Sequence, residues 1–101
     1  MLIKDIFNNA IELTDERWSH ITREHPEVEP YKGKVQEVLL LPDYVKKSKR
    51  DAEVLLYYKF YGDLFDGKYL LVAAKTGLRS FILTCYITDI IKKGETIWEK
   101  K

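Results

Sequence analysis

Cysteine is nearly missing from this 101-residue chain: Cys85 is the only one. No intrachain disulfide can form, and that usage suits a reducing compartment. An excess of one charge is missing too, with 17 Lys and Arg against 16 Asp and Glu. A chain-wide basic footprint is therefore excluded, and any RNA or DNA contact has to come from a local patch. No stretch approaches the ~18 apolar residues needed to span a bilayer. The opening "MLIKDIFNNA" has neither a long apolar core nor a cleavage site of the secretory kind. Repeats, linkers and low-complexity segments are absent. These absences lead to the expectation of one soluble, cytoplasmic domain over residues 1–101, with no membrane partner.

What is present is a core-forming composition. Apolar residues make up 46% of the chain, enough to exclude a disordered tail. Seven Tyr and four Phe favour a sheet-containing fold. Asn8-Asn9 marks a turn between two short apolar pieces in residues 3–13, read as a short strand or hairpin. Thr14 reads as a helix N-cap with Asp15 and Glu16 behind it, where acids suit the positive end of a helix. That helix runs to about Glu24, because Pro26 pushes His25 out of the α region. Val35, Val38 and Leu39 at i, i+3, i+4 place a second helix over Tyr31–Leu41. Residues 45–51, "VKKSKRD", read as a short edge strand, since lysines blunt edges.

The period then changes to two. Strands are predicted over 52–61, 68–75 and 80–89, with hairpin-like joins "GDLFDG" and "TGLR". Gly94 marks a turn before a last short strand around Thr96–Trp98. Helices first and an antiparallel meander afterwards make an α+β domain. Alternation assigns Phe81, Leu83, Cys85 and Ile87, then Leu70, Val72 and Ala74, then Val54, Leu56, Tyr58 and Phe60 to apolar sides facing the helices. The opposite sides place Tyr57, Lys59, Tyr61, Lys75, Thr84 and Tyr86 on one surface. Such a surface is either an ordinary solvated sheet face or a phosphate-binding one, with cations on the anion and tyrosines stacked on bases.

The two histidines lie in "RWSHITREHPE", residues 17–27. Trp18 and Ile21 mark the buried stripe of the helix; His20 lies off it and His25 near it, at the helix end. Their spacing of five turns them roughly 140° apart, against the spacing of four that puts two ligands on one helix face. Neither a metal nor a cofactor is expected. Cys85 falls on the core side, where a thiol is inert. General acid–base work remains open to either histidine, because imidazole titrates near neutral pH. Lys59, Lys75 or Arg79 are candidate phosphate stabilisers, and Thr84 or Tyr86 candidate hydrogen-bond donors.

The strings "LTDERWSHITREHPEV", "VQEVLLLPDYV", "EVLLYYKFY", "KYLLVAAK" and "SFILTCYITD" together resemble the phage-associated nuclease-like domains grouped with barnase, EndoU, the colicin-type tRNA nucleases and RelE-like toxins. The resemblance covers roughly residues 10–90. It implies N-terminal helices packed on a four-stranded antiparallel sheet. It also implies metal-independent RNA cleavage through attack of the 2′-OH, in a toxin or mobile-element setting, with RNA (transfer RNA among the candidates) and an immunity or antitoxin protein as partners. The positions it marks as catalytic are His20, His25, Lys59, Thr84 and Tyr86; Cys85 stands where an alanine is usual. Lys75, Arg79, Tyr57 and Tyr61 complete the expected substrate surface. Two other readings stand beside this one. One is a catalytically inactive RNA- or protein-binding module of the same fold. The other is a domain whose sheet edge forms a homodimer.

Overall fold

The structure is a computed structural model that describes residues 1–101. Strands β1 (Leu2–Lys4) and β2 (Ala10–Glu12) form a hairpin whose turn places Asn8 in the left-handed region, at φ 69°. Helix α1 follows over Asp15–Glu24, its first turn closed by Thr14, whose Oγ1 accepts the Arg17 N–H at 3.0 Å. A 3-10 segment, Pro26–Tyr31, leads into α2, Lys32–Leu40. The second helical stretch predicted from Tyr31 is thus preceded by a tighter turn. Two prolines, Pro26 and Pro30, keep that turn from continuing as an α-helix. Five strands complete the chain: β3 (Tyr44–Lys47), β4 (Val54–Tyr61), β5 (Lys68–Lys75), β6 (Phe81–Thr88) and β7 (Thr96–Glu99).

The expected four-stranded antiparallel sheet is corrected here. All seven strands join one curled, mixed sheet in the order β1-β2-β6-β5-β4-β3-β7. Its mixed character comes from one parallel contact, Glu12 of β2 against Phe81 of β6. Every other pairing is antiparallel. The three long strands were legible as a meander, but strands of three or four residues carry too little period to announce where they pair. β3 is not an edge: β7 returns to cover it.

Both faces of the sheet are packed. The inner face meets the helices through Trp18, Ile21, Val28, Val35, Val38 and Leu39, against Leu70, Val72, Ala74, Ile82 and Cys85. The outer face carries a smaller cluster, Val54, Leu56, Tyr58, Leu71 and Ala73. Residues 89–95, crossing from β6 to β7, cover part of it: Ile91 packs there and the Lys92 N–H donates to the Tyr58 hydroxyl at 3.0 Å.

This two-sided burial overturns the parity assigned to β4. Tyr57 and Tyr61 belong to the inner core, while Val54, Leu56 and Tyr58 face outward. Both sides of β4 are apolar, so alternation alone does not tell inside from outside. β6 departs in a different way. Its register against β5 shifts between Ala73 and Ala74, so Ile82 and Cys85 both point inward with a bulge between them.

One buried polar group ties the N-terminal hairpin to the sheet. Asp5 is 2% exposed. Its Oδ1 accepts the N–H groups of Phe7 and Asn9, and its Oδ2 accepts the Asn9 amide and the Tyr57 hydroxyl at 2.5 Å. Burial, then the Asp5 carboxylate, push the Tyr57 phenol well above its ordinary range, so it stays a donor. Removing that donor leaves a buried carboxylate oxygen under-satisfied. Tyr57→Phe is therefore expected to cost about 1–3 kcal/mol in urea unfolding, and a change within error would mean that the Asp5 link does not hold the hairpin to the sheet. A second constraint sits at Gly94, where an added Cβ would lie 2.6 Å from the Lys47 carbonyl oxygen. Backbone has to move to admit it, so Gly94→Ala should lose about 1–3 kcal/mol in the same assay. A variant as stable as the parent would show that the crossing segment is free to shift.

Candidate functional site

Pro26 fixes where the site forms. The residue before a proline is driven from the helical region, and His25 sits at φ −131°, ψ 72°. Its N–H still closes the last turn of α1 on the Ile21 carbonyl, at 2.7 Å, while its carbonyl accepts the Val28 N–H at 3.1 Å. The backbone of His25 is thus held on both sides. Val28, fully buried, anchors the 3-10 segment in the inner core. That segment packs on β6, whose outer edge is free because β2 pairs with it at Phe81 alone.

Across this edge the His25 ring stacks on the Tyr86 ring, with centroids 5.1 Å apart and planes inclined by 22°. Glu27 follows two residues later, its Oε2 lying 3.8 Å from His25 Nδ1, and both side chains are about one-third exposed. The Lys92 ammonium approaches the same Tyr86 ring to 5.9 Å. Thr84 sits two residues from Tyr86 on β6, opposite Ala73 of the outer cluster, so both hydroxyls belong to the outer face. A carboxylate, an imidazole, a tyrosine ring and an ammonium therefore gather where the helical segment rounds the sheet edge, with Thr84 on the same strand face. Cys85, between the hydroxyls, points inward; burial, and then the Glu27 charge, push its thiol up to about 12, so it supplies no nucleophile at neutral pH.

The other expected residues lie elsewhere. His20 is exposed on α1, where its Nε2 meets Glu24 at 2.8 Å, and it lines a shallow concavity with Arg17 and Arg23. Lys59 pairs with Leu70, a residue of the inner core, and its ammonium donates to the Leu41 carbonyl beyond α2 at 2.9 Å. It caps a helix end on the side of the sheet opposite Thr84. Lys75 is bonded to Asp51 and lies 3.4 Å from Glu53; the Asp51 contact holds that carboxyl below its usual range and the Lys75 amine above its own. Arg79 is 85% exposed and reaches Glu12 at 3.5 Å. The Tyr61 hydroxyl donates to Glu37 at 2.5 Å, and burial with that carboxylate raises its phenol. The Tyr57 hydroxyl is thus spent on the buried Asp5 carboxylate and the Tyr61 hydroxyl on that of Glu37, and neither is presented to a ligand.

The structure brings His25 and Tyr86 together from that set, with Thr84 two residues along the same face of β6, and leaves His20, Lys59, Lys75, Arg79, Tyr57 and Tyr61 apart from them. Two groups that sequence reasoning did not single out join the first three. Glu27 stood in "HPE", and its signal was its place two residues after a histidine whose backbone a proline holds out of the helical region. Lys92 lay in a tail with no period, and nothing in sequence marks a crossing segment that returns over the sheet. No cluster of three or more His, Cys, Asp or Glu is placed to hold a metal ion. Compared with family models, curated proteins and solved structures, the chain matches none of them.

Stacking leaves a measurable trace. The Tyr86 ring current should shift the His25 imidazole protons, and Tyr86→Leu should return them toward the position of a free histidine in proton NMR spectra. The His20 protons are expected to stay where they were. Identical His25 signals in the two proteins would mean the rings do not meet in solution.

Proposed function

We propose that this chain is a metal-independent ribonuclease whose reacting groups stand at the free edge of β6. The reading is carried by one observation: the His25 imidazole lies against Tyr86 with the Glu27 carboxylate 3.8 Å from its Nδ1. A base and an acid have to serve the same phosphate in such cleavage, and Glu27 and His25 supply one of each at one place on the sheet edge.

In this reading the 2′-OH of the substrate attacks the adjacent phosphorus while the bond from phosphorus to the 5′-oxygen breaks. Glu27 takes the 2′-OH proton and His25 gives one to the departing 5′-oxygen. Lys92 sets its positive charge against the charge that gathers on the phosphoryl oxygens, and the hydroxyls of Tyr86 and Thr84 donate to them. The products are a 2′,3′-cyclic phosphate and a 5′-hydroxyl end. Lys92 takes the stabilising role expected of Lys59, Lys75 or Arg79, which meet the Leu41 carbonyl, Asp51 and Glu12 instead.

Purified protein is expected to cleave single-stranded RNA in EDTA and leave cyclic phosphate ends. His25→Ala and Glu27→Gln should each slow cleavage by about 10²–10⁴-fold, the range for a lost acid or base, whereas His20→Ala should leave the rate unchanged. Wild-type activity no greater than that of His25→Ala at matched concentration rejects the enzyme reading. RNA held without turnover would then assign the same surface to binding alone.

A further inference from the structure

The near-equal totals of acid and base conceal one unbalanced place. The loop between β3 and β4 and the segment crossing from β6 to β7 enclose a groove of about 430 Å³, lined by Ser48, Lys49, Arg50, Leu56, Lys92 and Lys93. It contains four cations and no carboxylate. None of the four makes an ion pair, while the acids nearest in sequence are engaged elsewhere: Asp51 and Glu53 with Lys75, and Glu95 with Lys47. Leu56, at the base of the groove, belongs to the outer cluster, so the groove opens on the same sheet face as Thr84 and Tyr86. Lys92 joins the two places, since it lines the groove and its ammonium also approaches the Tyr86 ring. The same face holds Phe60, 49% exposed, with its ring 5.4 Å from Tyr69, which in turn meets Tyr44 at 6.4 Å.

We infer that this groove is a second phosphate-binding subsite, which holds the backbone of an extended single-stranded RNA whose scissile phosphate lies at His25. The inference deepens the ribonuclease reading and rests on it for the position of the scissile bond. Repulsion among unpaired cations in one groove is relieved when a polyanion enters and releases its counterions. Half-buried and exposed aromatic rings on the same face accept unstacked bases, which a duplex keeps inside its own stack.

The test separates the subsite from the chemistry. A labelled 12-nucleotide single-stranded oligodeoxynucleotide, which lacks the 2′-OH and stays intact, serves as the binding probe beside a duplex of the same sequence. The triple variant Lys49→Ser, Arg50→Ser, Lys93→Ser spares Lys92, and Lys4→Ser, Lys32→Ser, Lys101→Ser matches its charge change at a distance. The groove variant should bind the single strand about tenfold more weakly at low salt, and its log–log salt slope should flatten by about 0.7 per cation removed. The distant variant and the duplex arm set the scale: the distant variant should bind as the parent does, and the duplex should bind the parent more weakly than the single strand. Equal loss in both variants, no loss in the groove variant, or tighter binding of the duplex overturns the inference. Cleavage reads out separately. If the parent cleaves RNA, the groove variant should raise KM for a 12-mer and leave cleavage of a dinucleotide unchanged; an unchanged KM for the 12-mer rejects the subsite and leaves the enzyme standing. If the parent binds the probe through the groove but cleaves nothing, the subsite stands and the ribonuclease reading falls.

Discussion

A proline ring that cannot tolerate a helical neighbour determines how this chain rounds its own sheet. Pro26 forces the residue before it out of the helical region, and that residue is His25. The helix ends there without fraying, because the His25 N–H still reaches the Ile21 carbonyl and its carbonyl starts the next turn. The chain then bends into the 3-10 segment, and Val28 pins that segment in the core. A side chain held by its backbone on both sides loses little further freedom when it acts, which is what an acid–base group needs. The partner surface exists only because β2 is short. Had β2 paired along the length of β6, a strand would occupy the edge that His25 now reaches.

The sheet is packed on both faces, and the division of its tyrosines follows from that. Tyr57 and Tyr61 face the helices, where a phenol has to find a partner, and each finds a carboxylate at 2.5 Å. Tyr58 faces outward yet is fully buried, because the crossing segment lies over it and supplies a backbone N–H. Tyr86 stands beyond that cover and keeps its ring for His25 and Lys92. The segment 89–95 therefore does two things at once. It closes the outer cluster, and it brings a lysine from far along the chain to the edge where the histidine stands. Gly94 makes the second possible, since only a residue without Cβ passes the Lys47 carbonyl at that distance.

Much of the local structure was legible because its causes are local. Thr14 with Asp15 and Glu16 announces the start of α1, Pro26 its end, and the observed span Asp15–Glu24 follows. The three long strands show their period and lie within two residues of the spans read from it. What stayed hidden depends on contacts between distant segments. Nothing in "AIE" tells that β2 lies parallel to β6, and the resemblance implied four strands where seven assemble. The face of β4 was inverted because Tyr57 and Tyr58 are both apolar enough to be core, and both are. The site inherits these limits. His25, Tyr86 and Thr84 were named from residue type and resemblance, and the structure gathers them at one edge. Lys59 was placed beside them by an inverted parity; it lies behind the sheet. The segment that brings Lys92 has no period at all.

The lysines explain why residue type alone does not find an anion site. Seventeen Lys and Arg are spread over a chain with 16 acids, and Lys32, Lys47, Lys68, Lys75, Arg79 and Lys100 lie within ion-pair distance of one. Lys75 is the clearest case. It lies on the outer face, as a phosphate-binding residue should, yet two carboxylates already surround it. A phosphate entering there would have to displace them, and the exchange of one anion for another gains little. Lys59 has no acid, but it satisfies a carbonyl left open at a helix end. Lys49, Arg50, Lys92 and Lys93 differ only in what surrounds them: one groove, no carboxylate in its lining and no ion pair among them. Their mutual repulsion costs the free protein something, and binding an anion relieves it. Availability, not abundance, therefore distinguishes the cations that can hold a phosphate, and availability is a property of the folded chain.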